Sequence, residues 1–187
     1  MARIDYPDLD RPELVELVGR IASERGGEVI NLYRMLLHSP PVAEGWRALG
    51  TAIRIEAALD ARSPELAICL VARLTGSRYE WDHHAPIARR AGVDDSALDA
   101  LPAWRDHDGF SERDRAVLAW TEAVTVELRP APDVLRTARA ALDKRELVEL
   151  TATAGFYACV ARFVLALDVD DDEEPGAPLP PPSGSGA

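Results

Sequence analysis

Cysteine is scarce: Cys69 and Cys159 are the only two in 187 residues, each set in an apolar helical pattern. Two such thiols give no disulfide framework; they read as small core residues in a reducing, cytoplasmic protein. Basic clusters are missing too. The chain holds 21 Lys and Arg against 32 Asp and Glu, a formal net charge of −11. Nucleic acid is therefore excluded as an expected partner, because a polyanion needs grouped cations. Asp168, Asp170, Asp171, Asp172, Glu173 and Glu174 form a stretch with no base; without them, 26 acids face 21 bases. No apolar leader follows Met1, and Arg162 interrupts the most apolar run, 150–167, so neither a secretory leader nor a membrane span is expected. Strict apolar–polar alternation, hairpin dipeptides and internal repeats are also lacking, which argues against strands.

What is present is helical periodicity. Leu14, Val15, Leu17, Val18 and Ile21 mark an amphipathic helix over 11–25, stopped by Gly26 and Gly27. A second helix is predicted over 28–38, a third from Pro40 to about Leu59, and a fourth from the Ser63-Pro64 start to Gly76. Further helices are predicted over 78–91, 94–101, 111–128, 131–142 and 144–167. Met35, Trp46, Trp104 and Trp120 fall at core spacing. The last helix carries no charge from Leu150 to Ala161, so it should be buried centrally or at a subunit interface. The expected organisation is one all-α domain over 1–168, with a disordered acidic, Pro/Gly-rich tail over 169–187.

The chemistry-bearing segment is Tyr79-Glu80-Trp81-Asp82-His83-His84. Glu80 and His84 stand at i and i+4 and share a helix face. A carboxylate beside an imidazole orients it and makes a proton-transfer pair. Tyr79 and Trp81 can line such a site with polar-tipped rings. A purely structural account competes. Ser77-x-x-Glu80 is a capping-box pattern, Glu65 suits a helix dipole in a first turn, and Glu80–His84 can be a surface pair. Metal binding is not expected: adjacent His83 and His84 diverge on a helix, and neither His-Glu-x-x-His nor Cys-x-x-Cys occurs. His38 and His107 sit beside turn signals and read as surface groups.

Asn31-Leu-Tyr-Arg34, His38-Ser-Pro40, Glu65-Leu-Ala-Ile68, Tyr79-Glu-Trp-Asp-His-His84 and Glu146-Leu-Val-Glu-Leu150, with Tyr157 and Arg162, together resemble the carboxymuconolactone decarboxylase family, over about 28–167. The resemblance implies an alkyl hydroperoxidase D-like all-α bundle of about eight to nine helices. It also implies a homotrimer or homohexamer with its site near a subunit interface. Peroxidases of that superfamily carry Glu, eleven residues, Cys-x-x-Cys, three residues and His. This sequence has Glu65, Ser77-x-x-Glu80 and His84 at that spacing, so both thiols are replaced and thiol peroxidase activity is disfavoured.

The resemblance thus points to the decarboxylase branch, a cofactor-independent lyase acting on an unsaturated lactone or a related carboxylated small molecule. His84 is the expected general acid/base, oriented by Glu80, with Glu65 a second proton carrier. Tyr79, Trp81 and His83, with Arg162 or Arg34 for a substrate carboxylate, form the expected binding residues. An isomerase or a non-catalytic binding subunit on the same fold is the alternative.

Overall fold

The structure, a computed structural model, describes residues 1–173. Nine α-helices and no strand occur among them. They are α1 (Val15–Ser23), α2 (Asn31–Leu36), α3 (Pro40–Ile55), α4 (Arg62–Thr75), α5 (Arg78–Arg90), α6 (Asp95–Ala100), α7 (Glu112–Glu122), α8 (Pro132–Ala141) and α9 (Lys144–Leu167). A 3-10 turn, Leu101–Asp106, follows α6, and a π-helical turn, Ala123–Glu127, extends α7.

Local chemistry sets the ends. Reciprocal capping boxes start α7 at Ser111 and Asp114 and α9 at Asp143 and Glu146. Gly76, at φ +71°, ends α4, where the left-handed turn suits a residue without Cβ. Several boundaries depart from the periodicity. Asp60, rather than Ser63, caps α4, accepting from the amides of Arg62 at 3.0 Å and Ser63 at 2.9 Å. The third helix stops at Ile55 instead of near Leu59. Glu149 takes the Ala58 amide at 2.7 Å and Arg145 donates to the Glu56 carbonyl at 3.0 Å, so α9 supplies the bonds that release the chain.

The central element is α4. Leu66, Ala67, Ile68, Cys69, Leu70, Val71 and Ala72 are all buried, and α9, α5 and α7 pack around them. Two apolar clusters meet across this helix. Leu66, Leu70, Leu98, Leu118 and Leu150 belong to one, and Leu14, Ile21, Tyr33, Ile68 and Val164 to the other. Each fully buried Leu contributes roughly 1.5–3 kcal/mol.

Within one subunit the last helix is covered on one side only. Leu150, Ala154, Ala158 and Ala161 pack inward, while Val148, Ala152, Gly155 and Cys159 form an exposed apolar stripe that ends at Arg162. Cys159 is thus a free surface cysteine, not a core residue; Cys69 is buried as expected. Lys144–Leu167 has the length and hydropathy to cross a membrane, with 44% of its most apolar window buried against the other helices.

The acidic segment also departs from expectation. Residues 169–173, assigned to the tail from composition, lie against the body, with Val169 buried. Asp170 accepts from the Ala2 amide at 3.2 Å and Asp172 from the Asn31 amide at 2.8 Å. Carboxylates that read as solvated in one dimension find donors brought to them by α2 and the N-terminal segment. Residues 174–187 of that expected tail lie outside the described residues.

Candidate functional site

Helices α4 and α5 form an antiparallel pair joined by Gly76 and Ser77. The tight turn folds the first turn of α4 back onto the middle of α5. Ser77 Oγ accepts from the Glu80 amide at 3.4 Å, which is half of a capping box. The reciprocal half is absent: the Ser77 amide donates to the Ala72 carbonyl, and the Glu80 side chain is buried. Capping therefore accounts for Ser77 but not for the Glu80 carboxyl, and the surface-pair account of Glu80 and His84 fails because both are buried, at 3% and 4% exposure.

His84 is held from three sides. Its Nδ1 lies 2.8 Å from Glu65 Oε2, its Nε2 lies 3.7 Å from Glu80 Oε2, and its ring meets Tyr157 edge-on with centroids 4.9 Å apart. With Glu65 accepting Nδ1–H, the neutral ring presents a bare Nε2 toward Glu80. Burial raises the Glu80 pKa above the ordinary carboxylate value, against the opposing charges of His84, His83 and Arg54. The raised Glu80 pKa favours the protonated acid that a proton donor needs, and the carboxyl stands within ion-pair range of Nε2.

Glu80, His83, His84, Tyr79 and Tyr157 line a cavity of about 70 Å³ with Arg54, Arg25, Trp46 and Phe156. That is roughly half the ~150 Å³ cavity known to admit benzene, so a ring-sized occupant requires side chains to move. Burial also raises the Tyr157 phenol pKa, chiefly opposed by Arg54, leaving a neutral O–H donor. Glu65 borders a second, more open depression of about 310 Å³, which shares Arg54 and Ile87 with the cavity.

His83 faces a different partner. Its Nδ1 meets the Tyr79 carbonyl at 2.8 Å and its ring stacks on Tyr79. Its Nε2 lies 3.1 Å from Asp172 Oδ2, a close ion pair without the alignment of a hydrogen bond. Burial disfavours the imidazolium, but Asp172, the Tyr79 carbonyl and Glu80 outweigh it and raise the His83 pKa. Asp172 is the counterpart: burial opposes its charge, yet His83, Tyr79 and Asn31 hold its pKa low. The Tyr79 hydroxyl donates to Asp172 and accepts from the Leu32 amide at 3.2 Å, so it is already engaged.

Three sequence-derived binding residues lie elsewhere. Arg162 is exposed and donates to the Ala158 carbonyl at 2.8 Å. Arg34 sits over the Tyr6 ring at 4.7 Å and donates to Asn31 Oδ1 at 3.0 Å. Trp81 stacks with Arg73, whose guanidinium carbon is 3.5 Å from the ring centroid. None of the three lines the cavity. Arg54, Arg25 and Trp46 do; no local motif distinguished the two arginines, and helical spacing placed Trp46 in the core. No cluster of metal-ligating side chains occurs among the described residues.

Residues 40–123 match the carboxymuconolactone decarboxylase family. The uncharacterized protein YnjA of Escherichia coli is 39% identical over 84 residues, covering 44% of this chain and 46% of that protein. The matched region thus spans less than half the length of this curated relative. Among solved structures, an alkylhydroperoxidase AhpD core, an uncharacterized peroxidase-related protein from Ralstonia eutropha, superposes with TM-score 0.78 at 16% identity, covering 92% of this chain and 93% of that one. The debrominase Bmp8 in complex with 2,3,4-tribromopyrrole gives TM-score 0.74 at 18% identity, covering 90% of each chain. Family match and architecture agree: the chain carries a carboxymuconolactone decarboxylase family region, residues 40–123, on an alkyl hydroperoxidase D-like helical fold.

Proposed function

We propose that the cavity is a cofactor-independent general acid/base site that decarboxylates an unsaturated, carboxylated lactone or a close relative of one. The observation carrying this reading is the buried His84, placed between Glu65 and Glu80 at the wall of a cavity. In such a substrate the carbon–carboxylate bond breaks and its electron pair enters the conjugated carbonyl. Carbon dioxide leaves, and the resulting dienolate takes a proton at carbon. The His84–Glu80 pair supplies that proton. Glu65, bonded to Nδ1, holds the ring tautomer and stabilises the imidazolium formed when Nε2 takes a proton, and the His84–Glu80 pair regains its proton from solvent when product leaves the cavity. Tyr157, neutral and without a hydrogen-bond partner among the described residues, is the oxyanion donor, since the Tyr79 hydroxyl is committed to Asp172.

Purified protein is to be incubated with carboxymuconolactone and related unsaturated lactone acids, with carbon dioxide release and ring absorbance followed. Turnover that falls about a hundredfold or more in His84→Gln supports the reading. Unchanged turnover in that variant sinks it, as does absence of turnover across the set.

A homo-oligomer, trimer or hexamer, belongs to the same proposal. The exposed apolar stripe on α9, from Val148 to Cys159, supports it, because an apolar helix face is costly to leave in water.

A further inference from the structure

Arg54 stands apart from the other arginines near the cavity. Arg25 donates to the Tyr33 hydroxyl at 2.9 Å and stacks over its ring. The Arg54 guanidinium has no hydrogen bond and no ion pair among the described residues, although it lines the cavity and the more open depression beside it. The carboxyls nearest to it, Glu65 and Glu80, act at longer range. Of those carboxyls, Glu65 is committed to His84. Arg54 is half-buried, and a guanidinium in a cavity wall without a direct partner is open to an anion that enters the cavity. Trp46, in the same wall, holds a buried indole N–H that also lacks an acceptor.

We infer that Arg54 anchors the carboxylate of a small, planar, conjugated monoanion in this cavity. Guanidinium and carboxylate meet through two parallel N–H···O bonds, a geometry that fixes the orientation of the bound molecule as well as its charge. Trp46, Phe156 and Tyr157 supply flat apolar walls for the conjugated body. The small volume favours short acids over bulky ones. The inference rests on the acid/base reading for its choice of site, and it replaces Arg34 and Arg162 as carboxylate holders.

The test uses crotonate and its neutral isostere crotonamide, with binding to the full chain measured by calorimetry and ligand-observed NMR. Crotonate should bind at least about tenfold more tightly, since hydrogen bonds to a charged group outweigh neutral ones by that margin. Arg54→Gln should abolish the preference, Arg54→Lys should keep part of it, and Arg162→Gln should leave it intact. Circular dichroism identifies any variant that fails to fold, and Arg54→Lys then carries the comparison. Equal binding of acid and amide, no binding of either at millimolar concentration, or a preference that survives in Arg54→Gln overturns the inference. Binding is read in His84→Gln as well. An Arg54-dependent preference without lactone turnover leaves the anchor standing and removes the decarboxylase reading. Turnover without the preference does the reverse.

Discussion

His84 Nδ1 and Glu65 Oε2 stand 2.8 Å apart across nineteen residues of chain, both buried, one on α5 and the other in the first turn of α4. The contact favours the Nδ1–H tautomer and ties the geometry of the candidate site to helix packing. Glu65→Ala removes the acceptor and leaves a buried ring N–H without a partner. The expected cost is about 1–3 kcal/mol in denaturant unfolding. The ring ¹⁵N shifts of His84 should change from one tautomer to a mixture. Unaltered shifts would show that Glu65 does not set the tautomer.

Glu80 gives a pH signature with a definite sign. Its folded pKa is raised by burial, so between the unfolded and folded values the native state holds a proton the unfolded chain has lost. Its contribution is fully present below the unfolded pKa and fades as pH rises through the folded one. Glu80→Gln removes this loss. The melting temperature of the variant should therefore gain on that of the parent as pH rises above the ordinary carboxylate range. Parallel melting curves over that rise in pH would show that Glu80 is not shifted.

Asp172 and His83 titrate in the opposite directions. Asp172 is held low and His83 high, so the pair is charged on both sides between the two folded values. Its stabilisation fades as pH falls through the Asp172 value and as pH rises through that of His83. Asp172→Asn should destabilise most within that window and least above it. Removing the charge leaves burial dominant, so the His83 pKa should drop. NMR titration of the ring protons checks this, and an unmoved His83 titration would detach residue 172 from the site.

The α9 stripe makes a prediction independent of catalysis. A Cβ at Gly155 meets nothing within 4 Å, so Gly155→Leu is sterically tolerated within one subunit. If that face joins copies, the variant should shift sedimentation toward smaller species, with helical dichroism unchanged. A parent chain that sediments as a monomer at micromolar concentration would dispose of the oligomer.

Local sequence determined the helices and half of the site. Periodicity of 3.6, cap residues and the lack of alternating patterns specify an all-α chain. Glu80 and His84 share a face because an i, i+4 relation is intrinsic to helix geometry. Residue types at family-like spacing added Glu65. Tertiary structure decided what spacing cannot encode. Whether Glu80 closes a capping box or turns inward depends on the α4–α5 packing that buries it. Which arginine meets the cavity depends on how α3 packs against α2 and α9, and that selected Arg54 over Arg34 and Arg162. Asp172 sits in a segment whose composition reads as solvated, and it joins the site only because α2 and α5 bring Asn31, Tyr79 and His83 to it from far along the chain. Cys159 lies in a run that is apolar on every side, and its exposure follows from α4 covering only one face of α9. Each of these outcomes is a long-range contact, and long-range contacts are fixed by the packing of whole helices rather than by the residues beside them in sequence.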